Sequence, residues 1–129
     1  MQETVRALVV DDEPDVQYLF QQKFRKEMRR GVVAFHFAQS GEEALRLLRS
    51  GAAADLMLVL SDINMPGMNG LDLLRAVKQE FPELRVHMIT AYDDGQLREV
   101  ALKRGAEGYV VKPIDFETLK ASVFGLEPA

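Results

Sequence analysis

Four short apolar runs, each stopping at a polar residue, constrain the fold of this chain more than any other feature. Residues 6–10 stop at Asp11 and Asp12, residues 56–60 lead into Asp62, residues 86–89 stop at Thr90, and residues 108–111 stop at Lys112. Runs this short and this apolar fit strands buried on both faces of a parallel sheet. A fifth candidate, residues 32–38, alternates Phe35, His36 and Phe37, which suits an edge strand with His36 outward.

Between the runs the pattern turns helical. Pro14 and Asp15 suit a first helical turn, where proline's missing N–H costs nothing and an acid meets the positive dipole end. Val16, Leu19, Phe20 and Phe24 continue at helical spacing, which predicts one helix from Pro14 to about Arg30, before Gly31. Ser40 with Glu43 opens a second helix as a capping-box pair. Leu71, Leu74 and Val77 mark a third, stopped at Phe81–Pro82, and Asp93 or Asp94 caps a fourth that ends at Gly105. Asp115 caps the last, with Ile114 and Leu119 at its staple positions. The predicted architecture is α/β: a βα unit repeated five times, doubly wound, with helices on both faces of a parallel sheet. The first, third and fifth strands are apolar enough to be central.

Composition narrows the function classes. A 129-residue chain with 47% hydrophobic residues is one domain able to bury a core. Its net charge of -4 counts against general nucleic-acid binding. Without cysteine there is no disulfide and no thiolate metal site, and two histidines are too few for a histidine-built zinc centre. No run is long enough for membrane insertion, and the lack of cysteine fits a cytoplasmic chain.

In open α/β sheets, ligands bind beyond the carboxyl ends of the strands, where the strand order reverses. To that rim this chain delivers Asp11, Asp12, Asp62, Thr90 and Lys112. Each alone has an ordinary explanation: a helix-start acid, a loop cap, a structural hydroxyl, a solvated lysine. Their conjunction at one rim is hard to obtain by chance. Clustered carboxylates repel one another and call for a cation. An oxygen-only donor set selects a hard ion, and few protein ligands with room for water suit Mg2+. A cation, an ammonium and a hydroxyl around a carboxylate make a site for a phosphoryl group, with the carboxylate as nucleophile.

The same residues carry a resemblance. Leu8-Val-Val-Asp-Asp-Glu-Pro14, Ser61-Asp-Ile-Asn-Met-Pro-Gly-Met-Asn-Gly70, Met88-Ile-Thr-Ala91 and Gly108-Tyr-Val-Val-Lys-Pro113 resemble, in order and over essentially the whole chain, the receiver domain of two-component response regulators. The resemblance implies a flavodoxin-like (βα)5 fold with sheet order 2-1-3-4-5. It implies a receiver domain over residues 1–125, with 126–129 as a tail or the start of a linker. Asp62 matches the phosphoacceptor. Asp12, Asp62 and the backbone carbonyl of Asn64 would bind Mg2+, with Asp11 acting mostly through water. Lys112 would pair with Asp62 or the phosphoryl group, Thr90 would turn inward to a phosphoryl oxygen, and Tyr109 would change rotamer with it. Lys112–Pro113 matches the family's cis peptide. Asn64 and Tyr92, two residues beyond Asp62 and Thr90, flank the path of an attacking water and are expected to tune the phosphoryl lifetime. The implied donor is a sensor histidine kinase or a histidine phosphotransfer protein. The implied receiver of the signal is an output domain or downstream protein, with no direct nucleic-acid contact and a homodimer through the last helices. Such a domain is not an enzyme; it catalyses only its own phosphorylation and dephosphorylation.

The chain departs from that family in places. Its first predicted helix is longer than usual and ends in Arg25, Lys26, Arg29 and Arg30, either a solvated helix end or a contribution to partner binding. His87 stands where the family more often has an apolar residue, and reads as a tolerated strand histidine. Other classes make different demands. A Mg2+-dependent phosphatase with an aspartate nucleophile would show a second carboxylate where Asn64 stands. A flavodoxin-like nucleotide binder would carry a phosphate-cradling glycine loop after the first strand, and this chain has none. A receiver-like interaction module that takes no phosphate would not need the full set of acids, threonine and lysine.

Overall fold

The structure, a computed structural model, describes residues 3–126, so the expected tail lies outside the described residues from position 127 onward. Five parallel strands, β1 (Val5–Val10), β2 (Val33–Ala38), β3 (Leu58–Asp62), β4 (Arg85–Thr90) and β5 (Gly108–Val111), form one sheet in the order β2-β1-β3-β4-β5. The helices are α1 (Pro14–Lys23), α2 (Arg25–Arg29), α3 (Gly41–Ser50), α4 (Gly70–Glu80), α5 (Gly95–Lys103) and α6 (Phe116–Ser122).

Strand alternation builds two cores. Leu8, Val10, Val59, Val86 and Met88 face one side, where Leu45 of α3 and Leu73, Leu74 and Val77 of α4 cover them. Ala7, Val9, Leu58, Leu60 and Ile89 face the other, under Phe20 of α1, Phe24, and Phe116 and Leu119 of α6. Three predicted caps form. Ser40 accepts from the Glu43 N–H, Asp94 from the Gln96 and Leu97 N–H groups, and Asp115 from the Thr118 N–H. Ile114 and Leu119 share one apolar cluster, as the staple requires.

Two expectations are corrected. The sheet has the order the resemblance implies, so the fifth strand, which its apolarity ranked as central, is an edge, and β4 is central. All four β5 residues are only half-buried, whereas β4 is buried from Val86 to Thr90. Arg85 and His87 interrupt the apolar run of β4 and hide its central place. The single long first helix is also two. Phe24 leaves the helical region at φ -106 and ψ 14, between α1 and α2. Its ring is fully buried against Phe35 and Phe124, with centroids 5.0 and 4.8 Å away. Burial of such a ring is worth about 2 kcal/mol, enough to bend a helix at one residue. Hydrogen bonds from Phe24 N–H to Phe20 O (2.9 Å) and from Met28 N–H to Phe24 O (2.8 Å) carry the chain through the bend.

Candidate functional site

The strand order reverses between β1 and β3; Asp11 and Asp12 directly follow β1, and β3 ends at Asp62. Register places Val10 beside Ser61, Asp62 beside Ile89, and Thr90 beside Val111, so the residues that follow share one rim. Asp11, Asp12 and Asp62 each offer an oxygen there, all within 4.8 Å of one another. Asp11 and Asp62 are buried, while Asp12 is half-buried. Asp11 accepts from the Glu13 N–H at 2.9 Å, and Asp62 from the Asn64 N–H at 3.3 Å. Lys112 follows β5, its own N–H bonded to Thr90 O at 2.7 Å, and its peptide bond to Pro113 is cis, matching the resemblance. Its ammonium donates to Asp11 at 3.1 Å and to Asp62 at 3.4 Å.

Burial, then the charge of Asp11, hold the Asp62 carboxyl above its ordinary value, with Lys112 and the Asn64 N–H pulling the other way. Burial would lower Lys112, but its bond to Asp11 and the charges of Asp11 and Asp62 outweigh that and hold it raised. One ammonium therefore leaves negative charge uncompensated among three carboxylates. An oxygen-only cluster with that residual charge fits a hard divalent cation such as Mg2+.

Thr90 is fully buried at the end of β4, and its Oγ1 accepts from the Tyr92 N–H at 3.2 Å. Tyr109 donates its hydroxyl to Tyr92 O at 3.0 Å, and the Arg98 guanidinium lies 5.1 Å above its ring. The main chain of Tyr92 thus bonds Thr90 on one side and Tyr109 on the other, a link with no signature in the sequence. The Tyr92 side chain itself is 59% exposed beside the rim.

The segment after Asp62 is a closed loop. Gly70 N–H bonds Ile63 O at 2.8 Å across its base. A Cβ on Gly70 would lie 2.1 Å from Asp62 O, so only glycine allows this approach of backbone to backbone. Asn64 is exposed on the loop. Glu42 of α3, which sequence reasoning passed over, accepts from the Met68 N–H at 3.3 Å.

Two groups singled out in the sequence lie apart from this rim. Helix α1 starts at the rim and runs away from it. At 1.5 Å per residue, the basic residues Arg25, Lys26, Arg29 and Arg30 lie roughly 15–25 Å below, along a groove shared with Lys120 and Leu126. His87 is buried in β4, with Nδ1 unpartnered and packed over Gly108. His36, on edge strand β2, is half-buried.

A response regulator receiver domain model matches residues 7–124. The chain is 36% identical over 118 residues to the response regulator protein PilR of Pseudomonas aeruginosa, covering 92% of this chain and 25% of that protein. It is 36% identical over 115 residues to the DNA-binding transcriptional regulator NtrC of Escherichia coli, covering 89% of this chain and 23% of that protein. It thus spans about a quarter of the length of these relatives. Among solved structures, the response regulator TrrA of Thermotoga maritima, in complex with Mg2+–BeF, superposes with a TM-score of 0.78 at 33% identity, covering 96% of this chain and all of that one. The CheX–CheY–BeF3–Mg2+ complex of Borrelia burgdorferi gives 0.80 at 31% identity, covering 95% of this chain and 90% of that one. Sheet order, helices on both faces and the acidic rim define a flavodoxin-like signalling domain. The chain belongs to the response regulator receiver domain family of two-component signalling. Among the described residues, no helix is long and apolar enough to cross a membrane.

Proposed function

We propose that this receiver, spanning residues 1–125, takes a phosphoryl group onto Asp62 from the phosphohistidine of a sensor kinase or phosphotransfer protein. The donor's phosphorus–nitrogen bond breaks, a phosphorus–oxygen bond to the Asp62 carboxylate forms, and the freed imidazole nitrogen takes up a proton. The convergence of three carboxylates and Lys112 at one rim carries this reading.

Asp12, Asp62 and the Asn64 carbonyl would hold Mg2+, with Asp11 contributing mostly through water. When bound, the ion offsets charge on the phosphoryl oxygens. Lys112 pairs with the transferred group. Thr90 exchanges its bond from the Tyr92 N–H for one to a phosphoryl oxygen, and Tyr92 passes that change to Tyr109. Asn64 and Tyr92 flank the path of the water that ends the signal. The output goes to an attached domain or a downstream protein, in the cytoplasm and without turnover of any other substrate; a homodimer through the last helices is one form of it.

The test is transfer from phosphoramidate, a small phosphorus–nitrogen donor, with Mg2+. Wild-type protein is expected to gain one phosphoryl group and Asp62→Asn none. Wild-type protein that stays unmodified contradicts the reading.

A further inference from the structure

We infer that Glu42 is a positioning residue for the Mg2+ site, acting through the loop that carries Asn64. The inference rests on the function proposed above. Between Ile63 and Gly70 the side chains of Ile63 and Met65 are buried in the core, and the loop's backbone has few hydrogen-bonded anchors. Its base is closed by Gly70 N–H to Ile63 O, and Asn64 N–H turns back to Asp62. Among the described residues, Glu42 is the one side chain from another element that hydrogen-bonds this segment's backbone, at the Met68 N–H.

The surroundings are shaped for that contact. Gly67 sits at φ +73, and a Cβ there would come within 2.8 Å of Glu42 Oε2, so the missing side chain is what lets the carboxylate lie against the loop. One residue earlier in α3, a Cβ on Gly41 would meet Met68 Sδ at 2.9 Å, so the Met68 side chain packs directly on the helix backbone. Two glycines, one from each element, therefore admit a carboxylate and a thioether that clasp the loop to the start of α3. Ser40 and Glu43 do a separate task. Ser40 accepts from the Glu43 N–H, and Glu43 accepts from the Gln39 N–H, so these two cap the helix while Glu42 alone reaches across. With Ile63 and Met65 buried in the core, a loop also held at Met68 has less freedom to shift at Asn64, whose carbonyl would meet the ion.

The test compares Glu42→Ala and Glu42→Gln with wild type. In metal-free protein, Glu42→Ala is expected to speed hydrogen exchange at the Met68 amide. It should weaken Mg2+ binding by roughly threefold to tenfold, less than loss of a group bonded directly to a metal ligand, because Glu42 acts through the loop and its bond is exposed. Phosphorylation by phosphoramidate at saturating Mg2+ should stay within about twofold, since the reacting carboxylate is untouched. Glu42→Gln keeps an acceptor oxygen and is expected to stay near wild type. Wild-type Mg2+ affinity in Glu42→Ala overturns the inference, as does a loss in both variants that tracks their melting temperatures. A wild-type protein that takes neither Mg2+ nor phosphoryl group instead overturns the function on which the inference rests.

Discussion

Lys112 lies nearer to Asp11 than to Asp62, at 3.1 against 3.4 Å. Its ammonium is held chiefly by the carboxylate that is not the proposed nucleophile, while the two Asp62 oxygens accept from the Asn64 N–H and, at longer range, from Lys112. Lys112 is also the one cation paired with these buried acids among the described residues. Lys112→Met is expected to lower the stability of the metal-free protein by about 1–3 kcal/mol, since it strands two buried carboxylates. Urea melts with and without Mg2+ check this. Mg2+ should recover much of the loss, and an unchanged metal-free midpoint speaks against the pairing.

Asp62 makes the opposite contribution to folding. Burial and then Asp11 raise its carboxyl above the ordinary 3.8, so the folded chain binds that proton more tightly than the unfolded chain. The stability this group contributes is full below about 3.8 and is lost as pH rises through its folded value. At neutral pH the metal-free protein therefore carries a charged, crowded Asp62 at a cost. Asp62→Asn is expected to raise metal-free stability at pH 7 by about 1 kcal/mol, a few degrees in Tm. A lower Tm would mean that the Lys112 pairing outweighs the crowding.

His87 contributes on the acid side. Burial first, with Arg85 and Lys78 adding and Glu107 opposing, holds its imidazole below the ordinary 6.5. The fold prefers the neutral ring, so stability from this group is full above 6.5 and is lost as pH falls through its folded value. His87→Leu is expected to remove that loss, seen as a flatter Tm profile below pH 6.5. Gly108→Ala should cost about 1–3 kcal/mol in wild type, because its Cβ would sit 2.4 Å from His87 Nδ1, and much less in a His87→Ala background. Equal costs in both backgrounds would dissociate the two residues.

The βα alternation and the polar strand ends were legible because both are local: short apolar runs, then a residue of different chemistry at the next position. The caps at Ser40, Asp94 and Asp115 were legible for the same reason, since each bonds within three residues. The bend at Phe24 was not, because residues on both sides keep helical spacing and rings distant in sequence, those of Phe35, Phe116 and Phe124, draw that residue inward. The rank of β4 over β5 was hidden by a charge at Arg85 and by His87, whose burial depends on a bare Gly108 in the neighbouring strand. Contacts such as Lys112 with Asp11, 101 residues apart, or Glu42 with Met68, 26 apart, have no local pattern to read.

Tyr92 joins the Thr90 and Tyr109 sides through its backbone, while its exposed ring stands beside the rim. Tyr92→Ala leaves the backbone link and removes the ring proposed to screen the site from water. It is expected to shorten the acyl-phosphate lifetime severalfold with little change in Tm, measured by loss of the adduct after donor removal. An unchanged lifetime would mean that the ring does not screen the site.

The most direct measurement is intact mass after incubation with Mg2+ and a small phosphodonor. The predicted result is a single phosphoryl adduct that survives acid, is lost in base and is absent from Asp62→Asn. No adduct on wild-type protein, or an equal adduct on Asp62→Asn, would contradict the assignment of Asp62 as the phosphoacceptor.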